Sequence, residues 1–484
     1  MWRRQKHLCG LCALCVKSII RSVVIPGGLA NSMANSIPNI DLRVEISDKQ
    51  ILSIALPIAL AMLVPQINFV ANTVFLSGLG ETELGVAGIT GVYYLVFALV
   101  GNGLNSGLQA LIARRAGENR PQEIGKMFSQ SIWIAMFFAI GGVLITYIIS
   151  PYFLSSVLNS NKVQNEAINF IRIRIWGLPF LYLFQMGNAM LVGTNNSRYM
   201  KYGFFVEAVL NIVLDYALIY GHFGLPRIGF NGAAFASIIA EVTGMLIVFL
   251  IIFYKKFHHR FSLFHHLRFD KKVSGLIFRQ SSPLVLQFVL SVSAWLLFYI
   301  LIEHHGERQL AISNTMRNIF AVFGIFVWAF ASTSNAMVSN IIGQGKKDQV
   351  IFLIKKISRL SFIFTVSLCL LINIFPDVFL SLYGRDEDFI EEAIPVIRIV
   401  SIGLLFMSVA TVWLNAVTGT GNTKINLGIE IIAIILYSIY IYFVLHVWNL
   451  SLVWAWSSEM LYWTVLFSFS FLYLKSGKWR NKVI

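Results

Sequence analysis

The stretch VEAVLNIVLDYALIYG, Val206 to Gly221, is apolar enough for hydrocarbon yet carries Glu207, Asn211 and Asp215. At 3.6 residues per turn a spacing of four puts all three on one face of one helix. Apolar runs of about 20 residues, each long enough to cross a bilayer, recur along almost the whole chain. Twelve are predicted, beginning near Ile51, Leu84, Met127, Ala167, Lys201, Gly232, Leu276, Gln309, Phe352, Ile390, Ile425 and Leu452. Of 484 residues, 57% are hydrophobic and 13% charged, about half the charge of a soluble domain. The reading is an all-α integral membrane protein with twelve transmembrane helices.

The net charge of +15 is placed asymmetrically. With the N-terminus on the cytoplasmic side, the even-numbered connections and the tail carry Arg114, Arg115, Arg120, Lys126, Arg198, Lys201, Lys255, Lys256, Arg260, Arg268, Lys271 and Lys272. Lys346, Lys347, Lys355, Lys356, Arg359, Lys424, Lys475, Lys478, Arg480 and Lys482 extend that side. The opposite loops offer Lys162, Arg227, Arg308, Arg385 and the acidic run RDEDFIEE, Arg385 to Glu392. This is the positive-inside signature. It places both termini in the cytoplasm of a cell whose inner (plasma) membrane holds the chain, and it suits anionic lipid rather than nucleic acid.

Near the N-terminus, Cys9, Cys12 and Cys15 in CGLCALC resemble part of an iron–sulfur run, but Cys369, the other cysteine, lies inside the ninth span. Reduced thiols beside basic residues are the expected state. The run from Leu8 to Ala30 is broken by Lys17, Arg21 and Pro26, and MANSIPN at Met33 makes a natural start. Everything ahead of Met33 is therefore set aside as an upstream extension.

Compared with itself, the chain matches in one constant register. Pro57 meets Pro283, Gly80-Glu81 meets Gly306-Glu307, Gly117 meets Gly343, and FLS at Phe153 meets FLS at Phe379. IRI at Ile171 meets IRI at Ile397, Gly177 meets Gly403, and GTNNS at Gly193 meets GTGNT at Gly419. Six helices per copy is an even number, so both copies enter the membrane in the same direction, the parallel-repeat plan of secondary transporters. The expected division is a cytoplasmic extension over 1–45, an N-lobe over 46–255, an inter-lobe loop over 256–275, a C-lobe over 276–475 and a tail over 476–484.

Ionisable groups in hydrocarbon are costly, which makes each a functional candidate. At 1.5 Å per residue Asp215 lies about 9 Å inside the outer end of the fifth span, and Asn72 lies about as deep in the first. Ser237 and Glu241 fall roughly 8 to 14 Å inside the sixth, with Asn211 one turn below Asp215. Asp215, Asn211, Asn72 and Ser237 can thus form an oxygen cage in the outer half of the N-lobe. Oxygens suit a hard cation such as sodium, while a lone carboxylate stripped of water can carry a proton. The plainer alternative is a polar patch joining three helices. Glu207 sits toward the inner vestibule. In the second half Glu430 and Glu459 are the embedded acids. Arg317, well inside the eighth span, is expected to pair with an embedded acid or, as the second choice, to meet an anionic substrate group. Arg172 and its repeat partner Arg398 read as snorkelling interfacial cations, and the tryptophans read as belt, packing or stacking platforms for flat cationic drugs.

NFVANTVFLSGLGETELG, GLQALIARRAGENRPQEIGK, NIVLDYALIYG with GFNGAAFASIIAE, and ASTSNAMVSNIIGQGKKDQ together resemble the multidrug and toxic compound extrusion (MATE) family, over about Ile46 to Lys475. The resemblance implies two V-shaped six-helix lobes and an antiporter that expels organic cations and other drugs in exchange for Na+ or H+. It needs no cofactor beyond that coupling ion, performs no enzymatic reaction, and acts as a monomer with small drugs or toxins and membrane lipid as its partners. Asn211 and Asp215 match the family's N-x-x-x-D pair of the N-lobe cation site, and Ser237 matches the hydroxyl that joins it. Asn72 departs from the family, standing where many members have Asp in D-T-x-x-x-G-x-L-G. Ser291 and Met407 stand where the NorM-type branch has its C-lobe carboxylates, so the pattern is nearer the DinF-like one.

The rival transporter reading is a flippase for lipid-linked oligosaccharides, which would be expected to show several cavity cations. An enzyme would need a constellation such as H-E-x-x-H, which does not occur, and FHHRFSLFHH (Phe257 to His266) falls in a basic loop. An ATP-driven pump would need G-x-x-x-x-G-K-S/T, which GQGKK and GTGNTK do not supply.

Overall fold

Ser47 starts the first membrane helix. Its backbone is extended and its hydroxyl accepts from the Gln50 N–H, satisfying one of the free donors at a helix start. The computed structural model describes residues 41–484 apart from 159, 382–386 and 483, together with all but five side chains there (81, 82, 84, 157 and 162). Cys9, Cys12, Cys15, the start at Met33, and Arg385 and Asp386 of the acidic run lie outside the described residues.

The chain runs through α1 (Asp48–Ser77), α2 (Glu81–Gly117), α3 (Pro121–Val157), α4 (Asn161–Arg174), α5 (Leu178–Gly193), α6 (Met200–Tyr220) and α7 (Phe230–Tyr254). It continues through α8 (Lys271–Glu303), α9 (Glu307–Gly343), α10 (Val350–Ile374), α11 (Glu387–Gly419), α12 (Thr423–Tyr442) and α13 (Ser458–Lys475). Eleven stretches among the described residues are long and apolar enough to cross a membrane. The last predicted span opens with a short helical turn, Leu452–Trp456, and continues as α13, with Glu459 near its start and Lys475 at its end. Those end charges keep it out of the eleven, yet it packs against α11 and α12 as the twelfth.

The repeat is visible in the helix boundaries. Moved by the offset that carries Pro57 onto Pro283, α2 lands on the bounds of α9, and Asn161–Gly193 lands on α11. The copies differ where local residues demand it. The fourth span is broken into α4 and α5 by a tight turn at Ile175–Gly177, whereas α11 is continuous. The third span is a single helix that runs through Pro151, whereas its partner stops at Ile374 and resumes at Pro376.

The two halves meet at their basic ends. Arg114 of α2 is buried and donates to the carbonyls of Ser339 at 3.1 Å and Gly419 at 3.2 Å, the second an acceptor that the end of α11 leaves open. Asn335 donates to Ser106 O at 3.0 Å and Ser339 to Ala110 O at 2.6 Å. Asn340 binds the segment ahead of α1 at two points, donating to Leu42 O and accepting from Val44 N. Such approach needs bare backbone: a Cβ on Gly117 would overlap Asn340 O, and one on Gly343 would overlap Arg114 O. Beyond the contact of Gln109 with Ser332, no hydrogen bond joins α2 to α9 among the described residues. Leu95 and Val92 on one helix, and Trp328 on the other, are exposed there. The lobes therefore form a V, closed at the basic end and open at the opposite one.

Candidate functional site

The stripe of Glu207, Asn211 and Asp215 lies on α6, packed between α1 and α7. Asp215 is completely buried and Asn211 almost so. The Asn211 amide is the hub. In one orientation its oxygen accepts from Asn72 Nδ2 and its nitrogen faces Ser237 Oγ, both at 3.3 Å. Turned over, its nitrogen donates to Asp215 Oδ2 at 3.2 Å and to Asn68 Oδ1 at 2.7 Å. We adopt the second, because it gives a buried carboxylate a donor. Asp215 Oδ1 and Asn72 Oδ1 are buried without a hydrogen-bond partner. All four residues proposed for the cage therefore stand together. Asn68, one turn before Asn72 on the same face, is a fifth member that the sequence reading passed over.

The cage holds one carboxylate among neutral oxygens. Among the described residues there is no group of three or more His, Cys, Asp or Glu side chains placed to hold a metal ion. A single negative charge with amide and hydroxyl oxygens suits a monovalent cation or a proton, rather than a divalent ion that wants several carboxylates.

Glu241 does not join the cage. Arg174 grips it through both guanidinium nitrogens, at 2.9 and 2.6 Å, and Tyr94 OH donates to it at 3.0 Å. The guanidinium also lies 3.7 Å from the centre of the Tyr94 ring. Gly177 makes room: a Cβ there would collide with Glu241 and Arg174, which accounts for the tight turn between α4 and α5. Arg174 and Tyr94 were missed because hydropathy reads an arginine near a helix end as interfacial. Glu207, two turns below Asp215, rests against the bare backbone of Gly244, with its Oε2 buried and unpartnered.

In the second half, Glu430 accepts from Gln287 at 3.1 Å and Ser291 at 2.5 Å, and also from Tyr462 OH. Glu459 accepts from the indoles of Trp295 at 3.2 Å and Trp463 at 2.8 Å. Both acids are buried among neutral donors. The ion pair expected between Arg317 and an embedded acid does not form: Arg317 is exposed and lies 5.4 Å over the Tyr299 ring. The two acids have filled their shells with indole, amide and hydroxyl groups instead. In the basic loop, His258 and His259 sit on a single helical turn, anchored by buried Phe257 and Phe261.

Two bundles of six helices in parallel repeat, with a buried acid in each and a cleft between them, define a secondary transporter. More particularly, the chain belongs to the MatE family, the multidrug and toxic compound extrusion transporters, whose model matches residues 57–217 and again 283–444. It is 26% identical over 450 residues to the probable multidrug resistance protein NorM of Thermotoga maritima, covering 90% of this chain and 94% of that protein. It is 22% identical over 394 residues to the probable multidrug resistance protein NorM of Synechocystis, covering 80% and 85%. In fold it is similar to a MATE transporter crystallised in complex with MaL6, with a TM-score of 0.83 and 18% identity, covering 90% of this chain and 98% of the other. Members of the family are multidrug efflux transporters rather than enzymes, and the flippase reading gains no support from these relatives.

Proposed function

We propose that this protein is an antiporter that exports organic cations or other amphipathic drugs in exchange for Na+ or H+, with Asp215 as the coupling carboxylate. The observation that carries the reading is that Asp215 is fully buried, has one oxygen unpartnered, and has no cation in ion-pair contact among the described residues. A buried acid left in this condition must take up a proton or an ion. Asn211, Asn72, Ser237 and Asn68 supply the surrounding oxygens. Exchange requires that ion and drug favour different lobe arrangements, so that each promotes release of the other.

The lobes are assigned to 46–255 and 276–475 about a loop over 256–275, and the basic ends are assigned to the cytoplasm on the positive-inside distribution. We place the coupling site in the N-lobe, nearer the DinF-like pattern. Ser291 and Met407 in place of acids support this, while the names of the relatives lean toward NorM. Glu430, which reaches Ser291 from α12, is the feature that would bring a C-lobe contribution.

The test is efflux of a fluorescent organic cation from cells or proteoliposomes with Na+ and pH gradients imposed separately. Wild-type efflux should follow one gradient and be lost in Asp215→Asn. Efflux that persists in that variant would move the coupling site elsewhere.

A further inference from the structure

The unpaired cation Arg317 bears on which drugs the cleft accepts. Its orientation follows from helix geometry. Asn335 of α9 donates to Ser106 O of α2 at the closed end of the cleft. Arg317 precedes Asn335, and Gly88 precedes Ser106, by about five whole helical turns at 3.6 residues per turn. Both residues therefore return to the face that meets the other lobe, about 27 Å above the contact, at equal height on opposite walls. The exposed residues between them fit this path: Trp328 lies on the α9 wall, and Leu95 and Val92 on the α2 wall.

The two walls are related by the repeat but differ in chemistry. The position that is Arg317 in α9 is Gly91 in α2. Around Gly88 and Gly91 no atom lies within 4 Å of where a side chain would begin. The cleft thus has open space on the α2 side, facing a guanidinium on the α9 side. The guanidinium rests on the Tyr299 ring, whose own hydroxyl is tied to Ser313 O at 3.2 Å. Among the described residues no carboxylate pairs with it.

We infer that Arg317 is the anion-binding point of the drug cleft, and that the transported compounds carry a carboxylate or similar acidic group on an apolar aromatic body. This rests on the antiporter reading and narrows its substrate class. A guanidinium in a cleft with apolar walls attracts an acid, which it can hold through two parallel hydrogen bonds, and so selects among amphipathic compounds, cationic ones included, those that also carry a carboxylate. The apolar body of the drug lies along Trp328, Leu95 and Val92, and the bare backbone of Gly88 and Gly91 gives its head room.

The probe is a rhodamine dye with a free carboxylate, compared with its methyl ester, which has the same ring system and lacks the acid. Binding to purified protein in neutral detergent is read by fluorescence anisotropy with no ion gradient present. Wild type should bind the acid at least tenfold more tightly than the ester. Arg317→Gln should lose that preference through weaker acid binding, with ester binding unchanged or tighter, and Arg317→Lys should retain part of it. A monodisperse elution profile for each variant establishes that it is folded. Equal binding of the two dyes by wild type, or equal loss of both in Arg317→Gln, would overturn the assignment. Displacement of the acid dye by sub-stoichiometric phosphatidylglycerol would assign Arg317 to a lipid headgroup and overturn it as well. The antiport reading fails separately, when gradient-driven efflux of the acid dye itself is absent while the dye preference is intact.

Discussion

Arg174 and Glu241 form a largely buried two-point ion pair between α4 and α7, closed on its third side by Tyr94. The repeat shows what this pair contributes. Gly177 lies against Glu241, and its partner Gly403 lies 3.3 Å, measured from a would-be Cβ, from Glu459. In both lobes a glycine of the fourth repeat helix makes room for an acid of the sixth. In the C-lobe, Val400 and Phe320 stand where Arg174 and Tyr94 would be, and two indoles serve Glu459 instead. Glu241 is thus neutralised, whereas Asp215 is buried with no cation in ion-pair contact among the described residues, the condition that its proposed coupling role requires.

Removing one member of the pair strands the other charge in a low-dielectric interior. Arg174→Ala or Glu241→Gln should therefore destabilise the fold by about 3–5 kcal/mol. Arg174→Leu combined with Glu241→Leu should recover most of that loss, since apolar replacement of both partners is often tolerated. Thermal melts of the detergent-solubilised protein, followed by loss of the monodisperse peak, check both. A double variant no more stable than either single one would show that the pair does more than satisfy its own charges.

Asn68 offers a test of the cage that leaves its carboxylate in place. It accepts from the turned Asn211 amide, which fixes the face that amide presents to Asp215. Asn68→Leu should raise the ion concentration needed for half-maximal exchange by about tenfold, the equivalent of one hydrogen bond of about 1.4 kcal/mol. Maximal efflux at saturating ion should change little. A fall in maximal efflux with no shift in ion dependence would make Asn68 a packing residue.

The fold and the one-dimensional part of the site were legible in the sequence, for different reasons. Helices in lipid must be long, apolar and internally bonded, and a duplication keeps its register, so the constant offset foretold the bounds of α9 from those of α2. Asn211 and Asp215 were found because a spacing of one turn is readable along a single helix. What sequence alone could not supply is which face of one helix meets another. Glu241 lies one turn from Ser237 and reads as a further candidate beside the cage, yet its carboxylate turns to Arg174. Arg317 reads as a cation in need of an acid, yet Glu430 and Glu459 are filled by Gln287, Ser291, Tyr462, Trp295 and Trp463. A signal was available for Arg317: set against its repeat partner it faces a glycine, and a cation that duplication did not preserve is a candidate for specificity.

Outside the membrane, Asp270 starts α8. Its carboxylate accepts from the backbone of Lys272 at 2.9 Å and Val273 at 3.2 Å, and pairs with Lys126 of α3 at 2.6 Å. The Lys126 hydrogen bond, with the backbone donors, holds the carboxyl below its usual value of 3.8. A depressed folded value means that the stabilisation is present above the unfolded value and is lost as pH falls through the folded one. Asp270→Ala should lower the melting temperature at pH 7, and the gap from wild type should shrink below pH 3.8. A gap that stays constant to about pH 3 would show that the charge of Asp270 contributes nothing.

The closed end of the V is the part of the transport cycle most open to steric test. Gly117 and Gly343, equivalent in the repeat, press α2 and α9 together so closely that a Cβ on either would overlap the other helix's backbone. Backbone cannot rotate aside as a side chain can, so the lobes themselves must move. Gly117→Leu should therefore part the basic ends and reduce export tenfold or more, with Gly117→Ala intermediate. Spin labels at Arg120→Cys and Lys478→Cys, in a background lacking Cys9, Cys12 and Cys15, report the separation by electron double resonance. A lengthened and broadened distance distribution, with a monodisperse protein, is the expected result. Wild-type distances together with wild-type export would mean that α2 and α9 accommodate the side chain by sliding, and that closure at this contact does not limit the cycle.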